Sequence, residues 1–233
     1  MKIALLGYGR MGKSIETIAL QRGHTMTLKV AQSTSNLDFS NTDVAIDFSV
    51  PTAAVANIKS ALNANVPVIC GTTGWLESYN EVVAHCKAKN GTFLYASNFS
   101  LGVNVFFEIN KKLSQLMSGF NDYSTEIEEI HHTKKLDAPS GTAITLAEHI
   151  IAHTNYKNWS LNPPSSNEIF IDAKRIENVP GTHQVTYNSK IDTISIKHTA
   201  HNRQGFAMGA VIAAEWIKDK KGIFTMQDVL NIG

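Results

Sequence analysis

Cysteine is scarce in this chain, and its scarcity excludes several kinds of protein. Only Cys70 and Cys86 occur among 233 residues, and no Cys-x-x-Cys pair is present to suggest a zinc site. The two cysteines lie in segments typical of a buried strand and of a helix. We therefore expect two reduced core thiols in a reducing compartment rather than a disulfide.

Net charge and long apolar runs are also lacking. The chain carries 21 Lys and Arg against 20 Asp and Glu, a formal net charge of +1, so no overall field would hold nucleic acid or an anionic membrane. No apolar run approaches the ~20 residues of a membrane-spanning helix, and the amino terminus has no segment suited to a signal peptide. We expect a cytoplasmic globular protein without nucleic-acid or membrane partners.

Apolar strands alternate with amphipathic helices through the first hundred residues. The segments KIALLGYG, HTMTLKVA, DVAIDFS, VPVICGTTG and GTFLYASN are typical of strands. Helical spacing of apolar residues covers 12–23, 52–65 and 76–90, with Gly23 expected to end the first helix. Strands joined by helical segments predict an α/β fold, a Rossmann-like parallel sheet covered on both faces.

The pattern changes after residue 100. A long amphipathic helix, GVNVFFEINKKLSQLM, precedes four strand-like segments with mostly hairpin-like spacing: STEIEEIHH, NEIFIDAKRIE, GTHQVTYNS and DTISIKHTA. The polar run YKNWSLNPPSSN predicts a loop. The apolar helix FAMGAVIAAEWIKDK and the final GIFTMQDVL are expected to return to the first domain. We therefore predict a domain of residues 1–100 with 204–233, and an α+β domain of residues 101–203 on a mostly antiparallel sheet.

A glycine-rich hexad at the end of the first strand predicts a dinucleotide site. The residues are Gly7, Tyr8, Gly9, Arg10, Met11 and Gly12, a complete G-x-G-x-x-G. A lone match is a weak signal, but this one follows a strand and opens a helix. Gly7 would permit the tight turn, Gly9 the approach of a pyrophosphate, and Gly12 the close packing of helix on strand. The phosphates would bind the free amides of the helix N-terminus.

The acidic residue expected about 20 positions further on, which would bind the adenosine ribose, is absent. Ala31, Gln32 and Ser33 occupy this position, with Lys29 nearby. Nothing there repels a 2′-phosphate and nothing strongly selects NAD. The sequence therefore leaves the choice between NADPH and NADH open, with a slight preference for NADPH or dual use.

Two further segments follow the fourth and fifth strands, where an open parallel sheet binds ligands. The first offers a flexible backbone and two hydroxyls at Gly71, Thr72 and Thr73. The second offers amides and an aromatic face at Ala96, Ser97, Asn98 and Phe99. Both segments are predicted to line the nicotinamide ribose, the alternative being two ordinary strand-to-helix turns.

The stretch EEIHHTKKLDAPSGTA, residues 128–143, predicts an anion site in a nearly neutral protein. A strand delivers two histidines to its end, and Pro139 and Ser140 favour the start of a helix. Helix amides at residues 140–142, with Lys134 or Lys135 and His131 or His132, would bind carboxylates or phosphate. Adjacent strand histidines face opposite sides, so no metal site is expected.

The string EIHHTKKLDAPSGTA closely resembles the signature of the dihydrodipicolinate reductase family. The segments GYGRMG, DFSVPTA, CGTTG, ASNFSLGVN and HTAHNRQGFAMGA occur in family order, so the resemblance covers the whole chain. It implies an enzyme that uses NAD(P)H to reduce 4-hydroxy-tetrahydrodipicolinate to tetrahydrodipicolinate with loss of water, in diaminopimelate and lysine biosynthesis. Two other hypotheses remain: a dehydrogenase of another small amino-acid-derived acid, and a catalytically silent nucleotide-sensing module.

The resemblance also implies roles for individual residues. His131 matches the acid/base histidine, Lys135 the proton-donating lysine, and His132 a substrate-binding position. Gly141 and Thr142, next to Ser140, match residues whose amides hold a substrate carboxylate, and Phe206 is expected near the nicotinamide from a distal loop. A homotetramer built through the antiparallel sheet is also implied. The run Asn178–Gly181 departs from the family pattern, which leaves the detail of that loop open.

Overall fold

The protein is described by a computed structural model that covers residues 1–31, 37–202 and 204–232. The chain forms two compact units. The first comprises Met1–Leu101 with Gln204–Gly233, and the second comprises Gly102–Arg203.

The described part of the chain contains eleven strands, seven α-helices and one short 3-10 helix, Leu76–Ser78. The strands are β1 (Lys2–Leu6), β2 (Thr25–Val30), β3 (Val44–Asp47), β4 (Val68–Cys70), β5 (Thr92–Tyr95), β6 (Ser124–His131), β7 (Asn158–Ser160), β8 (Glu168–Arg175), β9 (Gly181–Asn188), β10 (Thr193–Ala200) and β11 (Gly222–Phe224). The helices are α1 (Arg10–Gln21), α2 (Pro51–Asn63), α3 (Tyr79–Ala88), α4 (Leu101–Met117), α5 (Gly141–Ile151), α6 (Gln204–Ile217) and α7 (Met226–Leu230). The five strands and three helices predicted for the first hundred residues are confirmed.

The first unit is a six-stranded parallel sheet in the order β11-β5-β4-β3-β1-β2. Alternate residues of β1 serve two cores, because successive side chains of a strand point to opposite faces. Ile3 and Leu5 pack with residues of α1, α6 and α7, while Ala4 and Leu6 pack with residues of α2 and α3. Both faces are therefore covered, which explains why these strands are continuous apolar runs.

Strand order places one crevice of this sheet at the end of β1. The chain passes from β1 to β2 on one side, and β3 then pairs with the other side of β1. Ligands of open α/β sheets bind outside the carboxyl ends of the strands at such a reversal. The loops after β1 and β3 are therefore the expected walls of a nucleotide site.

The second unit contains a five-stranded sheet in the order β10-β9-β6-β8-β7. The predicted α+β unit is confirmed, and its sheet is mixed: β9 pairs with β6 and β10 in antiparallel, whereas β8 pairs with β6 and β7 in parallel. Helix α5 follows β6 and carries the chain back, so the next strands run parallel to β6. Strands β8 and β9 are consecutive but lie on either side of β6. The predicted loop 156–167 also contains the short edge strand β7.

Helices α4 and α5 pack on one face of this sheet. Their apolar residues form a core with Ile127, Ile169, Ile171 and Val185. In β6, Thr125, Ile127, Glu129 and His131 all lie on the buried face. The alternation that buries Ile127 therefore also buries a carboxylate and an imidazole.

The cysteines and the apolar helices were the subject of two expectations from composition. Cys70 and Cys86 are free and buried, as predicted. No helix within residues 1–31, 37–202 and 204–232 is both long enough and apolar enough to cross a lipid bilayer.

Candidate active site

The glycine hexad forms a turn that requires glycine at two positions. Gly7 has φ +102°, and a Cβ built on it would lie 2.1 Å from the carbonyl oxygen of Phe48. A Cβ on Gly12 would lie 2.2 Å from the carbonyl oxygen of Gly7. For Gly9, by contrast, no atom of the described residues lies within 4 Å of that position. The turn and the close packing are thus present, and the middle glycine faces open space.

A cavity of about 180 Å³ lies beside this turn. It is lined by Gly7, Tyr8, Gly9, Val30, Ala31, Phe48, Ser49, Val50, Ala53 and Asn57. Helix α1 begins at its edge, with Gly9 as N-cap, no side-chain cap and no acidic residue in the first turn. Since the first amides of a helix lack partners within the helix and carry a partial positive charge, this edge fits an anionic group such as a pyrophosphate.

A buried carboxylate supports the walls of this cavity, and sequence reasoning missed it. Asp47, at the end of β3, accepts hydrogen bonds from Asn57 Nδ2 at 2.8 Å, Ser49 Oγ at 2.8 Å and Thr72 Oγ1 at 2.6 Å. Burial raises its pKa, while these hydrogen bonds oppose that rise. Asn57 and Ser49 line the cavity, so Asp47 fixes their positions. The position of Asp47 at the carboxyl end of a central strand is the sequence feature that could have indicated it.

Two predicted cofactor contacts need correction. Thr72 is 5% exposed, and its hydroxyl donates to Asp47 and accepts from the amide of Ser49 at 2.8 Å, so it is not available to a ribose. Phe99 is 1% exposed, with its ring 5.5 Å from that of Phe48 in the core, so the expected aromatic face is closed to ligands. Thr73 and Ser97 are exposed, and Gly71, Ala96 and Asn98 are partly exposed.

An ion pair that the sequence did not indicate lies next to Tyr8, a residue of the cavity wall. Lys29 Nζ lies 3.0 Å from Glu16 Oε1, and the hydroxyl of Tyr8 also donates to Glu16. Lys29, which the sequence placed near the ribose position, thus has an anionic partner in the structure. Ala31 is exposed, whereas Gln32 and Ser33 lie outside the described residues.

Phe206 lies in the first turn of α6 rather than in a loop, and it is partly exposed. This corrects its expected setting.

In the second unit, the two adjacent lysines have different environments. Lys134 is exposed, whereas the side chain of Lys135 is 21% exposed, and its Nζ lies 2.8 and 2.7 Å from the two carboxylate oxygens of Asp137. The amide of Lys135 also donates to the carbonyl of His132 at 3.0 Å. These bonds hold Lys135 in place in the loop that follows the end of β6 at His131.

The amide and hydroxyl of Ser140, which is predicted to bind substrate, are both bonded to groups of the protein in this structure. It is 3% exposed, and its amide donates to Glu129 Oε2 at 2.9 Å. Its hydroxyl caps α5 by accepting from the amide of Ala143 and lies 3.1 Å from His183 Nε2. In the described part of the chain, no acceptor is bonded to the amides of Gly141 and Thr142, the first residues of α5. They remain the candidate carboxylate donors.

Three residues that sequence reasoning missed meet behind His131. Glu129 is fully buried, and its Oε1 accepts from Arg175 Nη2 at 3.1 Å. The ring of His183 lies 5.0 Å from that of His131, centroid to centroid, in an edge-to-face arrangement. The residues meet because Glu129 pairs with His183 across β9 and His131 with Arg175 across β8. The acidic residue two positions before His131 was the available signal.

The geometry of this cluster would allow a metal ligand set, but its hydrogen bonds argue against one. Atoms of Glu129, His131 and His183 lie within 4.8 Å of one another. However, Glu129 already accepts hydrogen bonds from Arg175 and from the Ser140 amide, one on each oxygen. A metal ion on Oε2 would place a second positive charge beside the Arg175 guanidinium, which Glu129 already neutralises, so the residues present do not favour a metal ion.

Burial lowers the pKa of both histidines of the cluster. The pKa of His131 is lowered by burial and by the cations Lys135 and Arg175, although Glu129 and Asp137 act in the opposite direction. Burial, together with the neighbouring His131, His198 and Lys135, lowers the pKa of His183 to about 3. His183 is therefore neutral at physiological pH.

A second cavity, of about 190 Å³, lies at the start of β6. It is lined by Met117, Ser118, Phe120, Asn121, Tyr123, Thr125, Thr154, Asn155, Tyr156, Ser166, Asn167 and Tyr187. None of these side chains carries a full charge at neutral pH. This cavity therefore does not suit a dianion, and the anion chemistry belongs to the other end of β6.

Comparison with known proteins covers almost the whole chain. Family models described as "Dihydrodipicolinate reductase, N-terminus" and "Dihydrodipicolinate reductase, C-terminus" match residues 1–99 and 102–230. The 4-hydroxy-tetrahydrodipicolinate reductase of Christiangramia forsetii is 57% identical, over 99% of this chain and 98% of the relative. The enzyme of the same name from Rickettsia rickettsii is 36% identical, over 96% and 97%.

The fold also matches a solved structure. The dipicolinate-bound dihydrodipicolinate reductase from Paenisporosarcina sp. TG-14 aligns over 98% of both chains, with a TM-score of 0.76 and 20% identity. At that identity the likeness shows the fold alone.

Proposed function

The chain belongs to the dihydrodipicolinate reductase family, and we propose that its two units divide the work of that reaction, the first binding the cofactor and the second the substrate. The activity is the NAD(P)H-dependent reduction of 4-hydroxy-tetrahydrodipicolinate in diaminopimelate and lysine biosynthesis, and the chain is therefore an oxidoreductase. The 57% identity over 99% of the chain favours this activity over another dehydrogenase or a silent sensor.

The first unit is proposed to hold the dinucleotide on the Gly7–Gly12 turn. The bound cofactor supplies the hydride. The amides at the start of α1 would hold the pyrophosphate, because this helix end has no side-chain cap and Gly9 leaves room for close approach. Backbone of Gly71 and Ala96, with the exposed hydroxyls of Thr73 and Ser97, would line the nicotinamide ribose.

The second unit is proposed to bind a dianionic ring and to supply a proton. The amides of Gly141 and Thr142 would hold one carboxylate at the positive end of α5. Hydride addition to a C=N bond leaves negative charge that a proton must neutralise, and the ammonium of Lys135, which is bonded to Asp137 in the loop after β6, would donate it. His131 would act as acid/base residue, with His132 contacting the substrate. The observation that supports this assignment is the bonded Lys135, six residues before the first α5 amide, which has no acceptor in the described part of the chain.

Gly9→Ala is expected to weaken cofactor binding without destabilising the protein. The new methyl group meets no protein atom within 4 Å among the described residues, and the φ of −84° suits alanine. It would, however, occupy the path of the pyrophosphate. We expect the KM for NADPH to rise about tenfold, equivalent to about 1.4 kcal/mol, with little change in the melting temperature.

Gly119→Ala is the matched control, because its Cβ also meets no described atom and the residue is an exposed turn position in the other unit. An unchanged KM in Gly9→Ala would move the pyrophosphate away from this turn.

The function itself is tested by following NADPH and NADH oxidation with freshly generated condensation product of pyruvate and aspartate semialdehyde. We expect oxidation that depends on this substrate and not on aspartate or other small amino-acid-derived acids. The ratio of kcat/KM for the two cofactors gives the preference that Ala31 and its neighbours leave open. Cofactor binding without turnover would support the silent sensor instead.

A homotetramer joined through the sheet of the second unit is proposed from the family resemblance. Helices α4 and α5 cover one face of that sheet. The other face carries polar side chains such as Glu128 and Lys174, which form an ion pair, and Gln184. Light scattering in solution should give four times the chain mass of 25.5 kDa; a monomer mass would refute the proposal.

We propose the cytoplasm as the site of action. The buried free thiols of Cys70 and Cys86 suit a reducing compartment.

A further inference from the structure

We propose that Glu129 is a positioning residue for the reaction, which orients the imidazole of His131 by holding the proton on Nδ1 and so leaves Nε2 free for the substrate. The inference depends on the proposed role of His131. It adds a residue two positions upstream that the sequence did not single out.

The carboxylate of Glu129 is held rigidly. Its side chain is fully buried, and its two oxygens accept from Arg175 Nη2 at 3.1 Å and from the Ser140 amide at 2.9 Å. Arg175 Nη2 also donates to the carbonyl of Asp137 at 2.6 Å, in the loop that carries Lys135. The carboxylate is thereby fixed between β8 and the start of α5. It can therefore orient the neighbouring imidazole of His131.

The Nδ1 atom of His131 faces this carboxylate. Nδ1 lies 3.7 Å from Glu129 Oε2, and among the described residues it is a buried nitrogen without a hydrogen-bond partner. Shortening this distance by about 0.7 Å, to about 3.0 Å, would make an Nδ1–H···O bond of ordinary length. A buried donor without a partner is costly, so the carboxylate favours the tautomer that carries its proton on Nδ1.

The other neighbours of the His131 ring restrict its movement. Among them, His183 offers no charged group that would compete with Glu129 for the Nδ1 proton. A Cβ built on Gly181 would lie 3.3 Å from His131 Nε2, so the glycine at the start of β9 lets the ring lie against the backbone. His183 packs edge-to-face on the ring and is neutral, and its Nε2 is engaged by the hydroxyl of Ser140 at 3.1 Å. His183 therefore contributes packing and not charge.

Glu129 is the only fully buried carboxylate among the groups that act on His131. The charged and titratable groups facing the ring are Glu129 from β6, Lys135 and Asp137 from the loop, Arg175 from β8 and His183 from β9. Lys135, Arg175 and burial all lower the pKa of His131, and Glu129 is the larger of the two influences that raise it. Removal of this negative charge must therefore lower the pKa of His131 further.

Glu129→Gln tests the inference, because glutamine keeps the shape and can still accept from the Ser140 amide. We expect kcat to fall roughly tenfold to a hundredfold with the substrate KM nearly unchanged, since the lost contact acts through His131 and not on the substrate. In an NMR titration of labelled histidine, with the His131 signal assigned by His131→Asn, the pKa of His131 should be lower in the variant than in the unmodified protein. Any limb of the pH–rate profile that depends on His131 should move to lower pH.

Glu148→Gln is the matched control. Glu148 is an exposed carboxylate of α5 in the same unit and is not among the groups that act on His131; its removal should leave kcat and the His131 titration unchanged. Glu129→Asp keeps the charge one methylene further back and should retain more turnover than Glu129→Gln, with a smaller change in pKa. It also provides the test if the glutamine variant fails to fold.

Two results would overturn the inference: an unchanged His131 pKa in a folded Glu129→Gln, whatever the turnover, or near-normal turnover despite a lowered pKa. If only Glu129→Asp folds, an unchanged His131 pKa or undiminished turnover in that variant would also overturn the inference. The titration does not need the substrate, so a failure of the proposed catalytic roles would appear separately, as absent turnover in the unmodified protein with the Glu129 effect on His131 intact.

Discussion

Lys135→Ala should lower kcat by at least ~100-fold, while Lys134→Ala should leave it within about threefold of the unmodified enzyme. The two lysines are adjacent, but only Lys135 is partly buried and bonded to Asp137. The loss of a positioned proton donor removes an interaction needed in the transition state. Steady-state assays of NADPH oxidation with the substrate saturating would measure both variants.

Lys135→Arg separates proton donation from charge. Arginine keeps the positive charge and should hold the substrate, so KM should change little. Its pKa, above 12, makes it a poor proton donor, so kcat should fall nearly as far as in the alanine variant. Near-normal turnover in Lys135→Ala would remove this residue from the proposed role, and full activity in Lys135→Arg would reduce its role to charge alone.

Gly209→Ala should destabilise the first unit by about 3 kcal/mol. Helix α6 crosses the chain after β5 so closely that a Cβ on Gly209 would lie 1.7 Å from the carbonyl oxygen of Phe99 and 2.7 Å from its carbonyl carbon. The opposing atoms are backbone and Phe99 is buried, so no flexible side chain can move aside. Urea unfolding followed by circular dichroism would show the lower midpoint.

Gly205→Ala is the control for this prediction. Gly205 lies in the same helix, but its Cβ would meet Ser100 Oγ at 3.5 Å, an ordinary contact. Alanine favours helix over glycine by up to about 1 kcal/mol, so stability should be unchanged or slightly higher. Equal stability of Gly209→Ala and the unmodified protein would mean that α6 does not approach residue 99 as the structure has it.

The elements of the first hundred residues were predictable because their signals are local. The strand before Gly7, the helix after it and the end of that helix near Gly23 follow from apolar periodicity and glycine placement. Gly23 has φ +79°, a conformation that glycine adopts easily. The start of α5 at residues 140–141 followed equally from a proline and serine before an apolar helical run.

The second sheet shows where local signals fail. The spacing of β8 and β9 predicted a hairpin, yet β6 lies between them. Spacing along the chain does not report which strand fills the gap, because strand pairing depends on distant segments. For the same reason the sequence did not reveal that Ser140 turns inward, since its partners Glu129 and His183 lie on two different strands.

The sequence by itself determined the nucleotide turn, the order of the elements, and the histidine–lysine stretch that the family signature identifies. Only the tertiary structure shows which residues pack against that stretch, namely Arg175 and His183. Arg175 and His183 are more than 40 residues from Glu129 along the chain and reach it because β8 and β9 both pair with β6. Periodicity reports which face a residue occupies, but only the strand order decides which charges share that face.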